Sequence, residues 1–173
     1  MRLFFALEPA RETALAIADW RDRQFAAAAA RPVPVGNLHL TLNFIGELPP
    51  ARLGQLLQAV DNWHQRPPGA TLHMDITGYW HGPGIYWLGP QKWPPQLQQL
   101  ANRLGGISGQ MGGRQEKRRF QPHVTLFRGC REAPPAPAQA PGFAFAYDHF
   151  SLFESRQGKR GIAYHALADW ALS

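Results

Sequence analysis

The feature that most constrains this chain is a tetrapeptide that occurs twice, as His39-Leu40-Thr41-Leu42 and as His123-Val124-Thr125-Leu126, nearly half a chain apart. Side chains alternate across a β-strand. Each copy therefore sets one His and one Thr on one face and two aliphatic residues on the other. An apolar strand pattern and then a helical pattern precede each copy: RLFFAL at 2–7 leads to the first, IYWL at 85–88 to the second. The interval from Leu3 to His39 nearly equals that from Ile85 to His123. Outside the motifs the halves share almost no residues, so the symmetry lies in the order of elements. That order predicts two related sheet-and-helix lobes whose motif strands face each other.

The intervening segments read clearly. From Ala10 to about Ala30 the chain is alanine-rich and helical, with Ala14, Ile17, Ala18 and Phe25 on its apolar side, until Arg31-Pro32-Val33-Pro34 ends it. After Pro49-Pro50, Leu53, Leu56, Leu57, Val60 and Trp63 recur at helical spacing, and Pro67-Pro68-Gly69 breaks the pattern. After Pro94-Pro95, Leu97, Leu100, Ala101, Leu104, Ile107 and Met111 form a third stripe. Gly105 and Gly106 weaken its end and Gly112-Gly113 stops it. Strands are expected at 2–7, 37–45, 71–80, 85–88, 122–127, 143–153 and 162–167, with the Pro- and Ala-rich stretch 133–141 as a loop. Mixed strands and helices with several apparent hairpins give an α+β class, in one domain over residues 1–173.

Length and composition narrow the function. A chain of 173 residues with 45% apolar content buries a core without metal or disulfide help. The single cysteine, Cys130, excludes an intrachain disulfide and fits a reducing compartment. MRLFFALEPARE lacks the pattern of a signal peptide, and no apolar run is long enough to span a membrane. A soluble, cytoplasmic monomer is expected. The net charge of +6 favours polyanions. Arg114, Lys117, Arg118 and Arg119 crowd before the second motif, Arg128 and Arg131 follow it, and Arg21, Arg23 and Arg31 precede the first. There is no His-Glu-x-x-His or paired-Cys signature, so no metal and no cofactor are expected. The absence of a Walker glycine loop argues against nucleoside triphosphate hydrolysis.

A single His-x-Thr is usually an ordinary solvent-facing pair of a half-buried strand. Two copies in matched contexts offer two imidazoles and two hydroxyls to one ligand. Imidazole titrates near neutral pH, so one ring can take a proton from water while the other gives one to a leaving oxygen. Thr41 and Thr125 can donate hydrogen bonds to phosphate oxygens, and Arg118 or Arg119 can add a charge-assisted contact. This is equipment for cleaving a phosphodiester without metal. Phe120 is a candidate to stack on a nucleobase. Phe44 is expected to pack beside its strand rather than touch a ligand. His64, His73, His81, His149 and His165 share no spacing and are read as surface or structural. Cys130 is read as a passive thiol, and the tryptophans as core and lobe contacts, with nothing to single out Trp80 or Trp87.

The doubled motif, with x apolar, resembles that of the two-histidine phosphoesterase superfamily. More closely, the chain resembles the bacterial RNA 2′,3′-cyclic phosphodiesterases, also described as 2′-5′ RNA ligases. The matching segments are RLFFAL at 2–7, NLHLTLNFIGE at 37–47, RRFQPHVTLFR at 118–128, and the closing FSLFES and YHALADWAL. The resemblance implies a bilobal α+β fold, with two antiparallel-sheet lobes, helices packed outside and the histidines in a central cleft. It implies opening of 2′,3′-cyclic phosphates, on RNA ends or nucleotides, to 2′-phosphates without metal. His39 takes the family's proton-donor role and His123 its proton-acceptor role. The reverse chemistry would join RNA halves through a 2′-5′ linkage. A non-catalytic RNA- or nucleotide-binding module is the rival from another class, and retention of both His and both Thr weighs against it.

Overall fold

In the computed structural model, which describes residues 1–25 and 30–173, the strand β1 (Arg2–Leu7) is buried on both faces. Leu3, Phe5 and Leu7 enter the main core, while Phe4 and Ala6 join Phe153 and Tyr164 in a small cluster on the other face. A strand buried on both sides belongs at the centre of a covered sheet, and β1 lies between two neighbours. The elements that follow are α1 (Arg11–Gln24), β2 (Arg31–Pro32), β3 (Leu40–Glu47), α2 (Leu53–Asp61), β4 (Ala70–Met74), β5 (Ile76–Trp80) and β6 (Ile85–Gly89). Then come α3 (Pro95–Gln110), β7 (Val124–Arg128), β8 (Phe143–Tyr147), β9 (His149–Gly158) and β10 (Gly161–Ala171).

The main sheet runs β10-β9-β1-β3-β7-β6-β5, with β2 beside β7 and β4-β8 as a separate ribbon. Every pairing is antiparallel. Strands β3 and β7 meet at one residue pair, Leu40 with Val124. The sheet is therefore two wings, β10-β9-β1-β3 and β7-β6-β5, joined at a point. These are the two antiparallel lobes of the α+β fold that the element order implies.

The helices are exchanged between the wings. Helix α1 follows β1, yet Phe25 at its C-terminus packs edge-on against Tyr86 of β6 and Phe127 of β7. Helix α3 follows β6, yet its Ser108 hydroxyl donates to Asn43 of β3 at 2.8 Å. One contiguous core consequently draws on both wings.

Several boundaries differ from the sequence expectation. Helix α1 ends at Gln24, and Ala26–Ala29 of the expected helix lie outside the described residues. The expected strand 71–80 is two strands in different sheets, parted at Asp75, whose carboxylate accepts from the Gln91 backbone N–H at 3.0 Å. The expected strand 143–153 is likewise broken at Asp148, where the chain passes from the ribbon to the main sheet. In the first case unbroken apolar alternation hides a change of partner, and in the second the alternation shifts phase at the break. Helix α3 runs through Gly105 and Gly106 to Gln110, because Leu104 and Ile107 bury its inner face. Strand β10 is longer than 162–167, its pairing with β9 extending to Ala171. Among the described residues no helix is long and apolar enough to cross a membrane.

Arg21, one of the basic residues ahead of the first motif, does not face a partner. It is 4% exposed, and its Nη1 donates to the carbonyls of Val33 (2.6 Å) and Leu126 (3.4 Å). Arg21→Met is expected to lower the unfolding free energy by about 1–3 kcal/mol, because the Val33 carbonyl loses its Arg21 donor, while that of Leu126 keeps the Val33 N–H. Urea denaturation checks this.

Candidate active site

Each motif histidine sits one residue ahead of its strand, not within it: β3 starts at Leu40 and β7 at Val124. The reason is a local hydrogen bond. Nδ1–H of His39 donates to the Asn37 carbonyl at 2.7 Å, and Nδ1–H of His123 donates to the Gln121 carbonyl at 2.8 Å. A carbonyl only accepts, so the proton of each neutral ring is on Nδ1 and the lone pair on Nε2. The Thr41 hydroxyl lies 3.0 Å from Nε2 of His39, which it serves as a donor when the ring is neutral. Among the described residues nothing hydrogen-bonds Nε2 of His123.

The strand register sets these groups out as a rectangle. With Leu40 opposite Val124, antiparallel geometry places His39 toward Thr125 and His123 toward Thr41. The two rings thus occupy diagonal corners about the Leu40–Val124 contact. All four side chains line one cleft of about 760 Å³.

Aromatic walls fix both rings. His39 lies between Phe4 and the edge of Tyr164, each at a centroid distance of 5.0 Å. His123 meets Trp80 at 4.5 Å and Trp87 at 6.1 Å. Trp87 in turn lies over Gly78, where a Cβ would run into its indole ring. A strand glycine here gives a bulky ring room to approach the backbone.

The cleft is built by two β-bulges. Between Ala6–Thr41 and Phe5–Asn43 the pairing of β1 with β3 skips Leu42. Between Trp87–Thr125 and Tyr86–Phe127 the pairing of β6 with β7 skips Leu126. The extra residue falls just after the motif Thr in both halves. An inserted residue reverses which face later side chains take. Phe44 and Arg128, which simple alternation turns away from the histidines, therefore line the cleft with them. The expectation that Phe44 packs beside its strand is thereby corrected: its ring is 49% exposed.

The LigT like Phosphoesterase family model matches residues 6–87 and again 88–164, one copy to each half. The chain belongs to this family. It is 37% identical to the RNA 2′,3′-cyclic phosphodiesterase of Escherichia coli K12 over 99% of this chain and 97% of that protein. The Thermus thermophilus protein of the same description is 27% identical over 99% of this chain and 90% of its own length. A crystal structure of E. coli LigT complexed with 3′-AMP superposes with a TM-score of 0.92 at 38% identity, covering 99% of this chain and 98% of the other.

In this LigT-like cleft, burial pushes the His39 imidazole down to about 4. The bond to Asn37 opposes that shift, while Arg128 and His123 add to it. His123 is lowered from its ordinary value too, first by burial, with Gln121 opposing and Arg128 and Arg118 adding. Both rings are therefore mainly neutral at pH 7, and an entering anion pulls protons toward them.

All seven residues singled out by sequence reasoning line the cleft: His39, Thr41, Arg118, Arg119, Phe120, His123 and Thr125. Arg118 lies over the Trp80 ring at 5.3 Å, and its backbone N–H donates to the Glu116 carboxylate at 3.2 Å. Arg118 and Arg119 are exposed, whereas Arg128 is partly buried and acts on both imidazoles. Sequence reasoning noted Arg128 beside the motif without giving it a role; the signal was its place at the sixth position of HVTLFR, matching Phe44 in HLTLNF. The five other histidines do not line the cleft. Among the described residues no three His, Cys, Asp or Glu side chains gather closely enough to hold a metal ion.

Proposed function

We propose that the protein hydrolyses 2′,3′-cyclic phosphates, on RNA ends or nucleotides, by acid–base catalysis between two imidazoles. The observation that carries this reading is the diagonal pair of rings, each with its Nδ1 proton committed to a backbone carbonyl. A phosphorus between them meets one Nε2 from each side, which suits in-line displacement. His123 has the open Nε2 and takes the proton of the attacking water. His39, protonated once the substrate anion has raised its affinity for a proton, gives the Nε2 proton to O3′ as the P–O3′ bond breaks. The product is a 2′-phosphate, a regiochemistry that rests on the family resemblance.

Thr41 and Thr125 donate to the non-bridging oxygens, and Arg128 supplies charge from the cleft floor, assisted at the rim by Arg118 and Arg119. Phe120 offers its face to a base. The names of the two curated relatives agree with the proposed substrate class. The 3′-AMP held by E. coli LigT supports a nucleotide-sized cleft.

The direct test is incubation of 2′,3′-cyclic AMP with the protein in excess chelator, followed by identification of the product. The expected result is 2′-AMP alone, at a rate unaffected by the chelator. Formation of 3′-AMP would reverse the assigned leaving group, and an unchanged substrate would end the reading.

A further inference from the structure

We propose that Phe44, with the amide pair Gln98 and Asn102 of α3, forms a second base subsite that takes the penultimate nucleotide, the one 5′ to the nucleotide carrying the cyclic phosphate. The proposal rests on the cyclic phosphodiesterase reading above and makes an RNA end, rather than a mononucleotide, the better substrate.

Three large apolar side chains are exposed among the described residues, Leu15, Phe44 and Ile162, and of these only Phe44 lines the cleft. The bulge at Leu42 turns the ring there, at the cost of wetting an aromatic face that regular pairing would bury. Its ring stands 6.1 Å from Phe4, which backs His39. Phe44 thus extends the wall on the His39 side, while Phe120 belongs to the segment that leads into His123. Two aromatic faces from opposite halves of the chain suit two successive bases, since stacking serves any base.

The amides provide the edge contact. Gln98 Nε2 donates to Asn102 Oδ1 at 3.0 Å across one turn of α3. Both residues line the cleft, and that bond leaves the Asn102 Nδ2 hydrogens and the Gln98 Oε1 lone pairs available to a ligand, a donor beside an acceptor as base edges require. Further along the same face, Gly106 has nothing within 4 Å of where a Cβ would stand. A mid-helix glycine weakens its helix, and packing within the protein does not call for this one. An open backbone surface beside the amide pair leaves room for a flat ring.

The experiment compares kcat/KM for 2′,3′-cyclic AMP with that for the dinucleotide ApA ending in a 2′,3′-cyclic phosphate. Affinities for the two corresponding 2′-phosphate products are measured in parallel. The parent protein is expected to favour the dinucleotide by about 10- to 100-fold, the usual range for one stacked base. Phe44→Ala should erase most of that advantage while Phe44→Tyr keeps it. Gly106→Leu should erase it too, with the thermal midpoint held or raised, because leucine is the better helix former. A parent without dinucleotide preference in either rate or affinity would overturn the subsite. So would Phe44→Ala weakening both substrates equally. A protein that binds the dinucleotide product preferentially but hydrolyses neither substrate contradicts the hydrolase reading and leaves the subsite standing.

Discussion

Alanine at either His39 or His123 is expected to lower kcat on a 2′,3′-cyclic nucleotide by about 10²–10⁴-fold, the usual worth of one positioned acid or base. The two changes together should cost little more than the larger one alone, because groups that act as a unit are strongly non-additive. Each ring is held by one backbone carbonyl and two aromatic neighbours in a partly buried site. The fold should survive both replacements, which circular dichroism and thermal melting check. The pH profile separates the two roles. The proposed mechanism needs His39 protonated and His123 neutral. In the free protein His39 is held down to about 4 and His123 is lowered as well. The kcat/KM profile, which reports the free protein, should therefore peak below pH 6.5 and fall as pH rises, as the small protonated fraction of His39 is lost. The kcat profile should peak at higher pH, because the bound phosphate anion raises both rings. Coincident optima, or near-normal turnover in both alanine variants, would remove the acid–base assignment.

Arg128→Met is expected to reduce kcat/KM by about 10- to 100-fold, the cost of one charge-assisted contact to a phosphate. The same change should move the optimum of kcat/KM toward higher pH. Arg128 depresses both imidazoles, so its removal lets each bind its proton at higher pH. A merely structural residue would lower the rate without shifting the profile. The corresponding changes at Arg118 and Arg119 should be milder, since both are exposed and exposed charges are screened. Rate–pH curves for the three variants, measured side by side, check the ranking.

Much of this site is legible in the chain itself. His39, Thr41, His123 and Thr125 announce themselves as a doubled pattern, and the matched strand-and-helix contexts announce two related halves. Phe44 and Arg128 do not announce themselves. Alternation counted from His39 or His123 sends both away from the cleft, and they enter it because β3 and β7 each carry an extra residue just after the motif Thr. The breaks at Asp75 and Asp148 escape notice for a related reason. Apolar alternation continues through Asp75 and only shifts phase at Asp148, while the strand on each side pairs with a different partner.

The amino-acid order alone thus determined which His and Thr side chains to look for in the cleft, how many lobes exist and which faces of the motif strands are apolar. Those properties follow from residue type and from the period-two geometry of an extended chain. Only the tertiary structure decided that β3 and β7 touch at a single pair, that the rings stand on a diagonal, and that an arginine and a phenylalanine share their cleft. These depend on register between segments distant in sequence, and a bulge exists only relative to the strand it faces.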